Sequence, residues 1–600
     1  MIKPVFRRAS PKGRAVRRAG IALAMLGALA ACAQLSAPRG WADGWIGGRD
    51  DVWGRGLSEQ PQLLGSYLAA RYAAATRDSE NAARYYGLAL SIEPDSPVLL
   101  ERKFLFDLAE GSVPSAVRAA PSILEADPDN PYAQLVLALD ALRSRDYGRT
   151  LANLNLDAQG PFGRLSAALV GAWAELGRGD EAAAIAELDS LGDLQTVRIF
   201  ERFHRGLLAD LTGNAEDADA AYKEAILFGQ GRSLRMIEAY GSFLARQGRE
   251  DEAFELYTDY LELAPDNPII LAAIADLEAG RAPAPIVTDP RAGAAEALYG
   301  IASVFPSIAS VELPLIYLNL AVYLRPDFDV ALALIGDRFE DAQQWERAVE
   351  VYRRIERDSP LAETISVQIA YNLDRLDRTD EAVELLREKT ARNPDFYRGP
   401  IAIADILRAR ERYGEALSAY DAALSRVDAQ DGDFWALHYA RGTVLERLKR
   451  WPEAEESLLT ALEMRPEDPL ILNYLGYSWV DQGLHLDRAL AMIERAVELR
   501  PDDGYIVDSL GWAHYRLGNY DRAVRYLERA VELAPGDPTI NDHLGDAFWR
   551  VGRKLEARFQ WSHVLDMDPE PELAARVRRK LELGLDLVGD EHADYSSGTQ

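Results

Sequence analysis

Six hundred residues include a single cysteine, Cys32. One thiol excludes an internal disulfide and any multi-cysteine metal site. Basic residues are also scarce relative to acids, 67 Lys+Arg against 96 Asp+Glu, for a formal charge of -29. Seven of those basic residues and no acid lie in residues 1–31, so the remainder carries -36. A body this acidic repels phosphate backbones and anionic membrane surfaces, so no nucleic-acid partner is expected. Catalytic signatures are missing as well: the chain has no H-E-x-x-H, P-loop, G-x-S-x-G elbow or dinucleotide fingerprint. The expectation is therefore no enzyme activity, no cofactor and no metal.

Apolar residues are not lacking. At 48% hydrophobic composition the chain has ample material for a core and is not disordered by composition. Between Pro469 and Pro571 one pattern recurs three times. Leu475-Gly476, Leu510-Gly511 and Leu544-Gly545 each open a unit, followed by Gly483, Gly518 and Gly552, then Ala489, Ala523 and Ala557, then Pro501, Pro535 and Pro569. The spacing is 34 or 35 residues. Glycine and alanine at fixed points let two helices approach closely, the second glycine turns the chain, and the proline stops the second helix. This pattern resembles the tetratricopeptide repeat, a helix–turn–helix unit that stacks into a superhelical solenoid.

The small residue projects backwards as a ruler. Ala82, Ala116, Thr150, Ala184, Ala218 and Ala253 recur at 34 or 35, and Ala348, Ala382 and Ala416 at 34, with an interval of 38 to Ala454 across the Val427–Asp433 linker. Thr150 and missing closing prolines leave the register between residues 129 and 200 degenerate. The ruler breaks at Gly280-Arg281-Ala282-Pro283-Ala284-Pro285 and Asp289-Pro290, which no helix crosses. Because the ruler resumes downstream, an insertion in a continuous superhelix is favoured over a hinge. The fold expected is all-α, about fourteen units, with a final capping helix over Leu573–Leu585. The divisions are residues 61–280 and 294–570 as two arrays, 281–293 as a Pro-rich break, and 571–600 as capping helix and tail.

At the start, Lys3 through Arg18 precede an apolar run from Ile21 to Ala31, too short for a comfortable transmembrane helix and typical of a signal peptide. The run ends Leu29-Ala30-Ala31-Cys32, which resembles a bacterial lipobox. The resemblance implies cleavage before Cys32, lipidation of that cysteine and transfer to the outer membrane. Residues 32–60 then form a lipidated tether containing Trp41 and Trp53. Cleavage after Ala33, giving a soluble periplasmic protein, is the other reading.

Five of the seven histidines, His438, His485, His514, His543 and His563, gather in the C-terminal units. His514 occupies an aromatic packing slot and His485 a turn, so packing and surface roles are expected there. In the family resembled, the first helix of each unit lines a concave groove. Carrying those positions over gives Asn473, Tyr474 and Tyr477; Asp508, Trp512, Tyr515 and Arg516; and Asp542, Asp546, Trp549 and Arg550. Aromatic anchors beside carboxylates suit a protein partner. Carboxylate-clamping members of that family use Lys and Asn at the positions filled here by Asp508 and Asp542, which argues against an acidic peptide C-terminus as the ligand. An equal reading of Trp512 and Trp549 is packing between units. The architecture resembles long outer-membrane lipoprotein adaptors, which implies a scaffold bringing a periplasmic protease or a cell-wall hydrolase to the groove, with the membrane reached through the lipid alone. An accessory role in outer-membrane assembly or secretion is the alternative.

Overall fold

The computed structural model describes residues 61–154, 161–192, 195–229, 233–305, 312–427 and 434–588. Cys32, the signal-peptide and tether readings, and the tail from residue 589 lie outside the described residues. Those described form 31 α-helices from Pro61–Ala75 to Leu585–Val588, with no strand among them. None is long and apolar enough to cross a membrane. The chain divides into two compact units, Met1–Leu376 and Asp377–Gln600, so this division falls beyond the Pro-rich break.

The last full repeat shows the local physics of the unit. Before the Pro538–Arg550 helix, the Asp537 carboxylate accepts from the Thr539 and Ile540 amides, both at 2.9 Å, while Pro538 occupies the first turn, where its missing N–H costs nothing. Gly552, at φ 85°, turns the chain into the Lys554–Leu565 helix. Gly545 lies against Trp561 so closely that a Cβ there would sit 2.4 Å from the indole nitrogen. All thirteen ruler residues, from Ala82 to Ala557, are 0% exposed at the crossing of their two helices. Thr150 fits the same slot because its hydroxyl donates to the Asp146 carbonyl at 2.9 Å.

The first unit departs from the expected continuous superhelix. The Pro-rich stretch is strapped down by Ser242, whose hydroxyl meets the Pro283 and Ala284 carbonyls at 2.8 and 3.0 Å. The chain then forms a hairpin, Pro290–Ser303 and Glu312–Leu324, which lies across the first helices of several earlier repeats. Asn319 donates to the Leu108 and Ala109 carbonyls, and Tyr323 to Asp140 at 2.7 Å. Gly293 admits Trp173, leaving only 2.3 Å for a would-be Cβ. From Leu313 to Leu324 every residue but Tyr323 is buried; a helix apolar all round has to be enclosed. The next helix pair returns to the start of the unit, where Arg347 binds Glu110 at 2.5 Å and Gln344 binds the Arg77 carbonyl at 2.7 Å. The face that would be a groove is thus filled by the chain itself.

Candidate functional site

In the second unit the C-terminal end of the expected groove is also closed from within. The Pro571–Leu583 helix brings Lys580 between Asp542 and Asp546, with its ammonium 2.7–2.9 Å from all four carboxylate oxygens. Arg576 reaches Asp542 at 3.1 Å. Trp549 donates from its indole nitrogen to Asp586 at 3.0 Å and packs against Trp561. Trp512 lies between the rings of Tyr515 and His543, with centroids 4.6 and 4.0 Å away, and His543 in turn meets Asp508 at 3.0 Å.

Six of the residues expected to face a partner are therefore packing residues here. Asp508, Trp512, Tyr515, Asp542, Asp546 and Trp549 are all buried. The physical reason is that the last two helices of the chain, Pro571–Leu583 and Leu585–Val588, pack over these side chains. Arg516 is held by Asp481 at 3.1 Å, Arg550 by the Tyr515 hydroxyl at 3.2 Å and Asp586 at 3.5 Å. Asn473, Tyr474 and Tyr477 are half-buried. Burial and then Asp542 push the Asp546 carboxyl up to about 7, against the pull of Lys580.

Tyr474 belongs to a different environment. Together with residues of the two preceding repeats it borders an open cavity of about 610 Å³. One side is formed by Ile401, Asp405 and Arg408 on the Arg398–Ala409 helix, with Tyr413 and Tyr420 from the following helix. The other is formed by Phe434 and by Leu437, Tyr439, Thr443 and Arg447 on the Trp435–Arg447 helix. Tyr439 and Tyr474 meet edge to face at 5.7 Å, a stable arrangement for rings with negative faces and positive edges. Tyr474 donates to Glu446 at 3.1 Å, and Tyr420 donates to Asp405 at 2.6 Å while accepting from Arg408 at 3.1 Å. Burial, reinforced by Glu446, raises the Tyr474 phenol; burial and Asp468 raise that of Tyr439, with Arg408 opposing. Both rings are neutral at physiological pH.

The signal for this site was present in the sequence. Tyr439, Thr443 and Arg447 occupy, one repeat earlier, the same positions as Asn473, Tyr477 and Asp481. Extending the groove register upstream would have reached them. Among the described residues no group of three or more His, Cys, Asp or Glu is arranged to hold a metal. What the cavity offers is a mostly aromatic and apolar surface whose charged residues are paired along its walls, Arg408 with Asp405 and Arg447 with Glu446.

A tandem array of helical hairpins of this kind is a solenoid in its class. The profile of the tetratricopeptide repeat matches five overlapping stretches, residues 367–434, 401–469, 439–504, 475–538 and 509–570. The units within residues 367–570 are therefore tetratricopeptide repeats, in a chain whose described residues are all-α and form a solenoid of stacked helix pairs. No curated protein sequence matches the chain. Among solved structures it is similar to the APC/C hetero-tetramer Cut9–Hcn1, at 16% identity over 80% of this chain and 94% of that one, TM-score 0.36. It is also similar to YrrB, described as a TPR protein with an unusual peptide-binding site, at 22% identity over 33% of this chain and 99% of that one, TM-score 0.26. A tetratricopeptide repeat protein from Parabacteroides merdae shows 16% identity over 42% and 97%, TM-score 0.34.

Proposed function

We propose that the protein is a non-catalytic adaptor, anchored by lipid at Cys32 to the periplasmic face of the outer membrane, whose second unit holds a protein partner in the Tyr439–Tyr474 cavity. The observation that carries the partner site is the contrast between surfaces. The inner face of the first unit is filled by the Pro290–Ser303 and Glu312–Leu324 helices, and the end of the second by residues 571–588, whereas the aromatic cavity stands open. An adaptor needs no chemistry of its own. Holding an envelope protease and its substrate on one body raises their effective concentration, which suffices for activation. The location is supported by the basic start, the Ile21–Ala31 apolar run and the Leu29-Ala30-Ala31-Cys32 sequence.

The test is affinity capture from envelope extract with the wild-type chain and with a Tyr439→Ala, Tyr474→Ala double variant. The proposal expects a discrete partner, a protease or cell-wall hydrolase, retained by wild type and lost by the double variant with helicity unchanged. Equal capture by both chains would refute the site, and hydrolytic activity of the purified chain would refute the non-catalytic reading.

A further inference from the structure

Pro61, Gly65, Leu68, Tyr72 and Ala75 recur at intervals of three and four residues, so they line one face of the Pro61–Ala75 helix. All five are exposed, Leu68 by 51% and Tyr72 by 73%, and a Cβ at Gly65 would meet nothing within 4 Å. The stripe carries no charge, and Arg71 is the helix's one charged residue. Tyr72 lies ten residues before the ruler residue Ala82. At the same distance before Ala116, Ala253, Ala454 and Ala489 stand Phe106, Phe243, Val444 and Trp479, each at most 3% exposed. Their cover comes from the preceding repeat: Tyr86 stacks on Phe106 at 5.6 Å, and Tyr222 lies against Phe243 at 5.7 Å. No ruler residue precedes Ala82, so no repeat does this for Tyr72. An apolar outer face on a terminal repeat needs a cap.

The sequence directly ahead of this helix holds what such a cap requires. Residues 41–57 include Trp41, Trp45, Ile46, Val52, Trp53 and Leu57. None of the eight tryptophans among the described residues is exposed, so this chain places its indoles against protein. We propose that residues 41–57 are the occupant of the Gly65–Leu68–Tyr72 face and cap the first repeat. Seven residues separate Trp53 from Pro61. Extended, that stretch reaches about 26 Å, whereas Tyr72 stands about 17 Å along the helix from Pro61, so the segment has only to double back. Attachment at Pro61 gives it an effective concentration of millimolar order, which favours it over a free competitor. A bilayer is a poorer occupant, because the stripe lacks the basic flank that holds an amphipathic helix on anionic lipid. A second copy brings its own charge of -29. The cap also shortens the tether: under the proposed anchoring at Cys32, residues 33–40 alone span the gap to the capped repeat, about 30 Å of chain at most.

Hydroxyl-radical footprinting of the full chain, read by mass spectrometry at Tyr72, Trp41, Trp45 and Trp53, tests this. The comparison chains are a variant lacking residues 41–57 and the Leu68→Asp, Tyr72→Asp double variant. Tyr72 should be protected in the wild-type chain and oxidised several-fold faster in the deletion variant. In the double variant the three tryptophans should become several-fold more reactive, and trypsin should cut faster after Arg49 and Arg55. Tyr505, 63% exposed, supplies a reference within the wild-type chain that needs no variant. Tyr72 as reactive as Tyr505 would overturn the proposal. Protection of Tyr72 that disappears as a dimer is diluted would overturn it in favour of a second copy. Protection that arises only with phosphatidylethanolamine–phosphatidylglycerol vesicles would overturn it in favour of the bilayer.

Discussion

Arg235 and Glu296 face each other through two parallel hydrogen bonds of 2.7 Å, joining the fold-back hairpin to the Leu234–Arg246 helix in the interior of the first unit. Glu296 is 1% exposed and Arg235 8%. Arg235 also pairs with Glu238. Removing Glu296 leaves the buried Arg235 guanidinium with Glu238 as its remaining carboxylate and strips two of its hydrogen bonds, which costs more than never having built the pair. Glu296→Ala should therefore destabilise the first unit by about 3 kcal/mol or more, read by urea denaturation. A change below about 1 kcal/mol would show that the hairpin is not held there.

Gly511 tests the repeat crossing in the second unit. A Cβ at that position would lie 2.6 Å from Leu527 Cγ and 3.1 Å from the Leu527 backbone nitrogen. Gly511→Leu should cost roughly 1–3 kcal/mol or more by overpacking. An unchanged melting temperature would contradict the assignment of this glycine to the crossing.

Trp512 and Trp549 separate packing from recognition. Both are enclosed, by Tyr515 and His543 and by Trp561 and Asp586 respectively. Replacing both by Ala should cost about 3–5 kcal/mol per site in stability, while the folded fraction keeps its partner. Loss of the partner without loss of stability would return these residues to the groove.

The cap at the C-terminal end should be pH-dependent. Asp546 is raised in the folded state to about 7, so it contributes stability that is present below its ordinary range near 4 and is lost as pH rises through about 7. His543 moves in the same direction: burial lowers its imidazole, but Asp508 and its other carboxylate neighbours outweigh that and raise it. Its contribution too fades with rising pH. Thermal midpoints from pH 5 to 8 should fall more steeply for wild type than for Asp546→Asn. Parallel profiles would contradict the proton held at this cluster.

Cys32 is tested apart from the solenoid. Under the proposed anchoring, Cys32→Ser should abolish acyl labelling and either release the protein from the outer-membrane fraction or leave residues 1–31 attached. Unchanged fractionation of the variant would remove the anchor from the account.

The repeat lattice was legible because spacing alone carries it. Every ruler residue from Ala82 to Ala557 is buried at a helix crossing, and Gly483, Gly518 and Gly552 all take the left-handed turn. The fold-back hairpin was harder to see, since spacing does not say which surface a helix pair packs against. Its trace was in composition: Leu313–Leu324 has no polar face, which an ordinary outer helix of a solenoid would need. The closing of the C-terminal groove was not legible, because Arg576, Arg578, Arg579 and Lys580 are equivalent in the sequence and only three-dimensional placement sends Lys580 to Asp542 and Asp546. Tyr439 and Arg447 lie one repeat upstream of the positions named from the sequence, at the same spacing of 34 residues from Asn473 and Asp481.

The cavity between Arg408 and Tyr474 is the proposed seat of the partner. A photo-crosslinking amino acid at Thr443, inside the cavity, and at Gly414, exposed with nothing within 4 Å of its would-be side chain, addresses it most directly in cells. The account predicts one discrete protein adduct from Thr443 and none from Gly414. No adduct from Thr443, or the same adducts from both positions, would contradict it.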